Sequence, residues 1–154
     1  MFHRITLVVA ALALVLTAVA YSASGSSSAT RTIKATLFYT GLTEIDSDHN
    51  GKPSIGDVAV APGFFVDTAG KRAGRIHASC LLVDATGTDY NCTDYAHFAG
   101  GDIISAERFS VLERVNVGAI IGGTGVYSGM RGTVVTRWLK KDFSKAQVTF
   151  TLQP

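Results

Sequence analysis

The sequence predicts an all-β protein, an eight-stranded antiparallel β-barrel, on three observations. Apolar and polar residues alternate with a period of two over most of the chain beyond residue 31, which is typical of half-buried strands. About eight such segments follow one another, separated by short polar connections that carry turn signals. No helical period is found after the apolar N-terminal segment. We favour a closed barrel over an open sandwich because closure removes exposed strand edges.

The strands can be placed in order along the chain. The first covers residues 32–40, where apolar and polar side chains alternate. Residues 57–66 form an apolar run that contains Pro62-Gly63, so we expect an irregular or edge strand there. The remaining strands are predicted at residues 74–84, 88–98, 103–113, 114–121, 132–140 and 145–152.

A glycine-rich segment, Gly122 to Gly132, has five glycines in eleven residues. Its spacing is one residue too long for the G-x-G-x-x-G dinucleotide motif, and no Lys-Ser or Lys-Thr follows to make a Walker A loop. The run Thr133 to Trp138 is rich in β-forming residues, whereas a phosphate loop leads into a helix. The segment is therefore predicted to be a bend between two strands.

The N-terminus has the pattern of an export signal. Residues 1–20 combine a basic start with an apolar run and end on Ala18-Val19-Ala20, a small-residue cleavage site, although cleavage as late as about residue 24 fits the pattern too. An uncleaved membrane anchor is the alternative interpretation. Residues 21–30 are Ser-rich and are predicted to be a flexible spacer, which leaves residues 31–154 for one barrel domain.

The charge balance of the exported chain excludes some partners. One of the 14 Lys and Arg residues lies in the predicted signal, which leaves 13 basic side chains against 12 acidic ones. No basic stripe is present, so neither nucleic acid nor an anionic membrane surface is expected as a partner. The predicted localisation is secreted.

The two cysteines, Cys80 and Cys92, are expected to form a disulfide in an oxidising compartment. Between them lies a turn signal, and a hairpin centred on Thr86 places the two residues directly opposite each other on antiparallel strands. Two free thiols acting as metal ligands are the other interpretation, but no further ligand stands nearby at metal-site spacing.

A polar loop before the second strand allows three interpretations. Its oxygen-bearing residues match positions 1, 3, 5, 9 and 12 of a calcium loop, with Gly51 at position 6, but strands and not helices flank it. A solvated turn and a ligand-facing polar edge of the barrel are the alternatives. No metal is assigned, and the candidate calcium ligands are Asp46, Asp48, Asn50, Ser54 and Asp57.

Several segments together resemble a known family. Glu44-Ile45, followed by Gly51-x-Pro53 and Gly56-Asp57, is similar to the N-terminal region of plant allene oxide cyclases. The segment His77-Ala78-Ser79-Cys80 occupies the place of an Ala-Gly-Leu-Cys strand in those enzymes. Gly101-Asp102-Ile103 and the glycine-rich segment resemble sequences shared by allene oxide cyclases and dirigent proteins. The resemblance implies a calycin-like barrel with an apolar cavity, often a homotrimer, in which Tyr127 fills the corner.

The resemblance also implies which residues carry chemistry. Allene oxide cyclases need no cofactor, and a Glu at the position of Glu44 is thought to stabilise a developing cation. In the part of the site that holds the substrate oxygen, Pro53 matches, whereas Asp46 stands for an Asn and Lys52 for a Ser. Lys52 could stabilise an oxyanion there. The catalytic candidates are accordingly Glu44 and Lys52, and the substrate-binding candidates are Asp46, Pro53, Asp57 and Cys80.

The function predicted from the sequence is that of an exported barrel that binds an apolar small molecule. It would act without a cofactor, as a cyclase, an isomerase or a stereochemical guide. The alternative is a non-enzymatic barrel, either a hydrophobic-ligand carrier or a structural module. His77 and His97 are expected to be exposed strand histidines, because each is out of phase with the cysteine face of its strand.

Overall fold

The computed structural model describes residues 29–154. The predicted signal peptide and all but the last two residues of the predicted spacer lie outside the described residues. Within the described range, no helix has the length and apolar character needed to cross a membrane.

Nine antiparallel strands form one sheet that closes on itself. Eight long strands make the barrel, and the three-residue β2 pairs with the start of β3 beside β1. Closure comes from β1, which pairs with β9 on one side and with β3 on the other. The strands are β1 (Arg31–Tyr39), β2 (Thr43–Ile45), β3 (Val58–Val66), β4 (Arg72–Leu82), β5 (Asp89–Phe98), β6 (Gly101–Ser110), β7 (Val115–Gly123), β8 (Arg131–Trp138) and β9 (Lys145–Gln153). The predicted eight-stranded antiparallel barrel is confirmed.

β3 is not an edge strand, contrary to one of the two expectations for residues 57–66. It pairs with β4 on one side and with both β1 and β2 on the other. Pro62 is tolerated because it faces the gap where the partner changes from β2 to β1. There its carbonyl accepts the amide of Thr40 at 2.9 Å.

One end of the barrel is filled by its own side chains. Phe65 stacks on Phe98 with ring centroids 5.1 Å apart, and Phe150 meets both rings edge-on. Ile103 and Leu152 are fully buried around them. The main cavity lies towards the other end, where β1, β5, β6 and β8 carry Tyr39, Tyr90, Phe109 and Trp138.

The glycine-rich segment bends the chain between β7 and β8. It contains a short 3-10 helix, Gly125–Tyr127, and Gly125 has a φ of 57° close against the backbone of Gly100, where a side chain would collide. Tyr127 is 3 % exposed and packs against Phe98. The predicted bend is confirmed, with Tyr127 filling the corner.

The β4–β5 hairpin has the predicted register. Cys80 is directly opposite Cys92, and the two form a disulfide. Asp84 closes the turn by accepting the amides of Thr88 at 2.9 Å and Asp89 at 2.8 Å. A short polar turn therefore fixes the pairing of residues that lie deep in the barrel wall.

Candidate functional site

The open end of the barrel holds a cavity of about 320 Å³. Its walls differ in the size of their side chains, because the strands that form them carry different inward-facing residues. Small side chains on β3 and β4, namely Ala59, Ala61 and Ala78, leave the space, and aromatic side chains on β1, β6 and β8 surround it. A largely apolar cavity with few polar groups is the usual form of a small-molecule site.

Two carboxylates, Asp94 on β5 and Glu107 on β6, lie in this apolar cavity. Asp94 is directly opposite Ser105, and Glu107 is directly opposite Cys92, so the two acids are diagonal neighbours on the inner face. Diagonal neighbours stand about 7 Å apart, within reach of each other's side chains. Asp94 is 7 % exposed, and Oε2 of Glu107 is buried without a hydrogen-bond partner.

Burial raises the pKa of both carboxyl groups. Desolvation raises the pKa of Asp94 to about 7, with a small opposing effect from the Ser105 hydroxyl. Desolvation, and then the charge of Asp94, raise the pKa of Glu107 to about 8. The two groups interact, so they titrate as a pair that holds at least one proton near neutral pH.

Tyr39 adds a hydroxyl to the polar groups of the cavity. Desolvation, followed by the charges of Asp94 and Glu107, raises the pKa of Tyr39 well above its ordinary value. The phenol therefore stays protonated throughout the physiological range, and its hydroxyl is available as a hydrogen-bond donor.

An aromatic wall stands beside the carboxylates. Trp138 lies 6.0 Å from Tyr39 between ring centroids, and it meets Phe109 and Phe143 edge-on at 5.6 Å and 5.2 Å. The indole N–H of Trp138 donates to Oδ1 of Asn116 at 2.6 Å, which fixes the ring. The wall thus offers aromatic surface, and its indole donor is already occupied.

Gly118 on β7 makes room for Glu107. The two residues are cross-strand partners, and a Cβ at position 118 would lie 2.7 Å from Cβ of Glu107 and 2.8 Å from the carbonyl of Ala106. A glycine here allows the carboxylate to sit on the inner face without displacing β7.

Among the residues predicted from the sequence, Cys80 and Glu44 line the main cavity. Cys80 does so as half of the disulfide, so it has no thiol. Glu44 is exposed on β2, at the rim. It also borders a second pocket of about 280 Å³, which adjoins the first and is lined by the other predicted site residues, Asp46, Lys52, Pro53 and Asp57.

Hydrogen-bond donors within the acidic loop hold its carboxylates in place. Asp46 accepts the amides of Asn50 at 3.3 Å and Gly51 at 2.7 Å. Asp57 accepts the amides of Ser47 and Ser54, both at 2.9 Å. Backbone hydrogen bonds, chiefly the one from Gly51, lower the pKa of Asp46.

Carboxylate oxygens of three loop residues, Asp46, Asp48 and Asp57, lie within 4.8 Å of one another. Asp48 also accepts the Ser54 hydroxyl at 3.0 Å and the Asn50 side-chain amide at 2.7 Å. Oδ1 of Asp48 accepts the amide of Asn50 at 3.2 Å, so each of the six oxygens accepts a hydrogen bond within the loop. This geometry suits a solvated turn, and the calcium interpretation is an untested alternative.

The histidines His77 and His97 are exposed, as expected from their phase. Nδ1 of His97 lies 2.6 Å from Oδ1 of Asp102, and this contact is the main cause that lowers the pKa of Asp102. The pair is on the outer surface, away from the cavity.

The sequence reasoning missed Asp94 and Glu107, the most perturbed acids of the site. One signal could have found them. Asp94 is two residues from Cys92 and two from Ala96, so it shares the inward phase of the disulfide face. Glu107 on the next strand is likewise two residues from Ser105 and two from Phe109, so it shares their inward phase.

The chain has no match among protein-family models. It has none among curated proteins either. Solved structures do resemble it. Pyocyanin demethylase superposes with a TM-score of 0.67 at 20% identity, over 80% of this chain and 100% of that one. The pterocarpan synthase dirigent protein GePTS1 gives a TM-score of 0.64 at 18% identity, over 80% and 83%.

A third similar structure is the Diels Alderase AbmU from Streptomyces koyangensis. Its TM-score is 0.66 at 18% identity, and the match covers 80% of this chain and 63% of AbmU. At these identities the likeness establishes the fold. The predicted resemblance to dirigent-type barrels is confirmed at that level, and the neighbours include cyclases of the Diels-Alderase type.

Proposed function

We propose that this protein is a small-molecule-binding barrel that acts on an apolar metabolite without a cofactor, as a cyclase, an isomerase or a stereochemical guide. One observation carries the proposal, namely an apolar cavity that contains two desolvated carboxyl groups, Asp94 and Glu107. Cyclases and a dirigent protein among the structural neighbours support the same class of function.

The cavity would act first by restricting the conformations of its ligand. A chain or ring system held in a space of about 320 Å³ has few ways to fold, so one approach of the reacting atoms is favoured. This effect needs no particular side-chain chemistry. It accounts for stereochemical guidance even where the reactive species forms elsewhere.

The carboxyl pair would add acid–base catalysis. Near neutral pH one carboxyl group can donate a proton to a developing oxyanion, while its neighbour accepts a proton from carbon or oxygen. An isomerisation or ring closure consumes no net proton, so the total protonation of the pair is the same before and after. Tyr39 would hold a substrate oxygen through its hydroxyl.

The residues predicted from the sequence keep a place in this proposal. Glu44 at the rim would favour positive charge in the part of the substrate that reaches the opening. Lys52, with Asp46, Pro53 and Asp57 around it, would contact a polar end of the substrate in the adjoining pocket.

We also propose that the protein is exported and assembles as a homotrimer. The disulfide between Cys80 and Cys92 supports export, since such bonds persist in oxidising compartments. N-terminal sequencing of the protein from culture medium tests export and the cleavage position between residues 20 and 24. Light scattering tests the trimer.

The test of the proposed function compares wild type with a variant that keeps the cavity shape. The full chain is incubated with a panel of apolar epoxides and polyenes, and the products are separated by chiral chromatography with mass detection. We expect isomers of unchanged mass with a stereochemical excess. The double substitution Asp94→Asn, Glu107→Gln should lower the rate at least about 100-fold.

Glu113→Gln serves as the matched control, because Glu113 is an exposed acid outside the cavity, and it should behave as wild type. Binding of panel members with no conversion by any form would contradict catalysis and favour the non-enzymatic carrier. No binding of any panel member would overturn the proposal.

A further inference from the structure

All the ionisable groups that line the cavity are carboxylic acids or phenols. Among the described residues that line it, none is Lys, Arg or His. The groups that face the space are Tyr39 on β1, Glu44 on β2, Tyr90 and Asp94 on β5, Glu107 on β6 and Asp142 in the β8–β9 turn. All of them are neutral or negative, so the protein provides acids without a counter-charge there.

One of these acids lacks even a neutral partner. Oε2 of Glu107 is buried and accepts no hydrogen bond. A buried acceptor without a donor costs on the order of 1–3 kcal/mol, and more when it is charged. A ligand that brought a donor or a positive charge to this atom would remove the cost, whereas an anionic ligand would increase it.

The aromatic wall suits the same kind of ligand. The aromatic residues Tyr39, Phe109 and Trp138 line the cavity, and cations are attracted to aromatic rings, most strongly where water is excluded. Trp138 is held in place by Asn116, so its ring need not reorient. Flat aromatic surface next to carboxylates fits a group that is both apolar and positively charged.

We propose that the cavity selects a lipophilic cation, such as an N-alkylated heteroaromatic ring or an aryl ammonium compound. The positive charge lies against Asp94 and Glu107, and the apolar part lies on the aromatic wall. This inference rests on the proposed function, since it names the substrate class of the same cavity. The proposed function requires only an apolar ligand, whereas this inference requires a ligand that is also positively charged.

Binding of a cation should be linked to proton release. The pair holds at least one proton near neutral pH because each carboxylate is desolvated. A bound positive charge favours the ionised forms, so the protons leave as the cation enters. The cation should therefore bind more tightly as pH rises from 6 to 9, while a neutral ligand of the same shape should show no such dependence.

Three probes of similar shape test the inference on the full chain: N-methylquinolinium, 1-methylnaphthalene and 1-naphthoate. We expect the cation to bind at least tenfold more tightly than the neutral probe at pH 8.5, and the anion to bind most weakly. Asp94→Asn and Glu107→Gln should each reduce the preference for the cation at least tenfold, and neither should weaken 1-methylnaphthalene binding.

A second measurement does not depend on the variants. Calorimetric titration of wild type with N-methylquinolinium, in two buffers of different ionisation enthalpy, should reveal proton release at pH 7.5. Equal or tighter binding of 1-methylnaphthalene, with no proton release, would overturn the cation inference and leave the proposed apolar cavity intact. If none of the three probes bound, the cation inference would fail, while the panel of epoxides and polyenes would still decide the proposed function.

Discussion

Asp94 and Glu107 face one cavity from adjacent strands, one diagonal step apart, with the cross-strand partners Ser105 and Cys92 at the other two corners of the quadrilateral. Neither acid meets a basic side chain among the described residues that line the cavity. The pair therefore combines two properties that a stable core avoids, buried acids and a missing counter-charge, at the position where a ligand would bind.

The first prediction concerns pH and stability. The pKa of each acid is about 7 or 8 when folded and near 4 when unfolded, so the folded state binds more protons between these values. The free energy of unfolding should fall as pH rises from about 5 to 8, and the contribution should be lost above that range. Urea unfolding at pH 5, 7 and 9 measures the slope.

Glu107→Gln should flatten this dependence and raise the stability at pH 9, by on the order of 1–2 kcal/mol, because it removes a buried charge. Glu113→Gln, which changes an exposed acid, should retain the wild-type slope. A wild-type stability that is constant from pH 5 to 9 would show that the two acids are not desolvated.

The second prediction concerns the glycine opposite Glu107. Gly118→Ala should lower the free energy of unfolding by about 1–3 kcal/mol, because the new Cβ would press on Glu107, Ala106 and Val134. Gly122→Ala on the same strand is the matched control, since no atom lies within 4 Å of a Cβ there. Equal effects of the two substitutions on thermal melting would contradict the close approach at Gly118.

The third prediction concerns the disulfide. Replacing Cys80 and Cys92 together by Ala should cost about 3 kcal/mol, because a short closed loop no longer restricts the unfolded chain. Non-reducing mass spectrometry of the purified protein should show the cross-link. Two free thiols in that protein, or an unchanged midpoint of urea unfolding in the double variant, would contradict the structural role.

The fourth prediction concerns Glu44. Because this acid is exposed at the rim, Glu44→Gln should leave the melting temperature nearly unchanged. Turnover, or binding of the cationic probe, should fall, since the substitution removes a charge at the opening without altering its shape. If affinity and turnover both equalled those of wild type, Glu44 would have no part in the chemistry, and the role implied by the cyclase resemblance would fail.

The fifth prediction concerns the acidic loop. We expect the same melting temperature in millimolar calcium and in chelator, because the loop carboxylates already accept donors from the loop itself. Asp57→Ala should cost about 1–2 kcal/mol in either condition, since two backbone amides lose their acceptor. A melting temperature that rose with calcium in wild type and not in the variant would establish the metal interpretation.

Much of the architecture was predictable because its causes are local. Alternation along a strand decides which side chains face inward, and turn residues such as Asp84 decide the hairpin register that places Cys80 opposite Cys92. The bend at Gly125 is likewise a property of a few consecutive residues. Such features need only a short window of sequence.

The strand bounds were less accurate where pairing ends. The sequence predicts strands over 103–113 and 114–121 without a break, yet β6 stops at Ser110 and β7 begins at Val115. The four residues between them form the connection, and Glu113 there donates its amide to the carbonyl of Ser110 at 3.2 Å. The connecting residues 111–114 contain no Gly, Pro, Asn, Asp or Ser, so no turn signal in the sequence shows where the pairing stops.

The sequence by itself determined the all-β class, the disulfide partners and the inward phase of Asp94 and Glu107. Only the tertiary structure decided that these two acids share an apolar cavity, that Glu44 lies at its rim, and that no basic side chain among the described lining residues faces them. The reason is that the pKa of a carboxyl group depends on what covers it. In a closed barrel the cover comes from β1, β3 and β8, which are distant in sequence from both acids and surround one cavity only because the pairing of β1 with β3 closes the sheet.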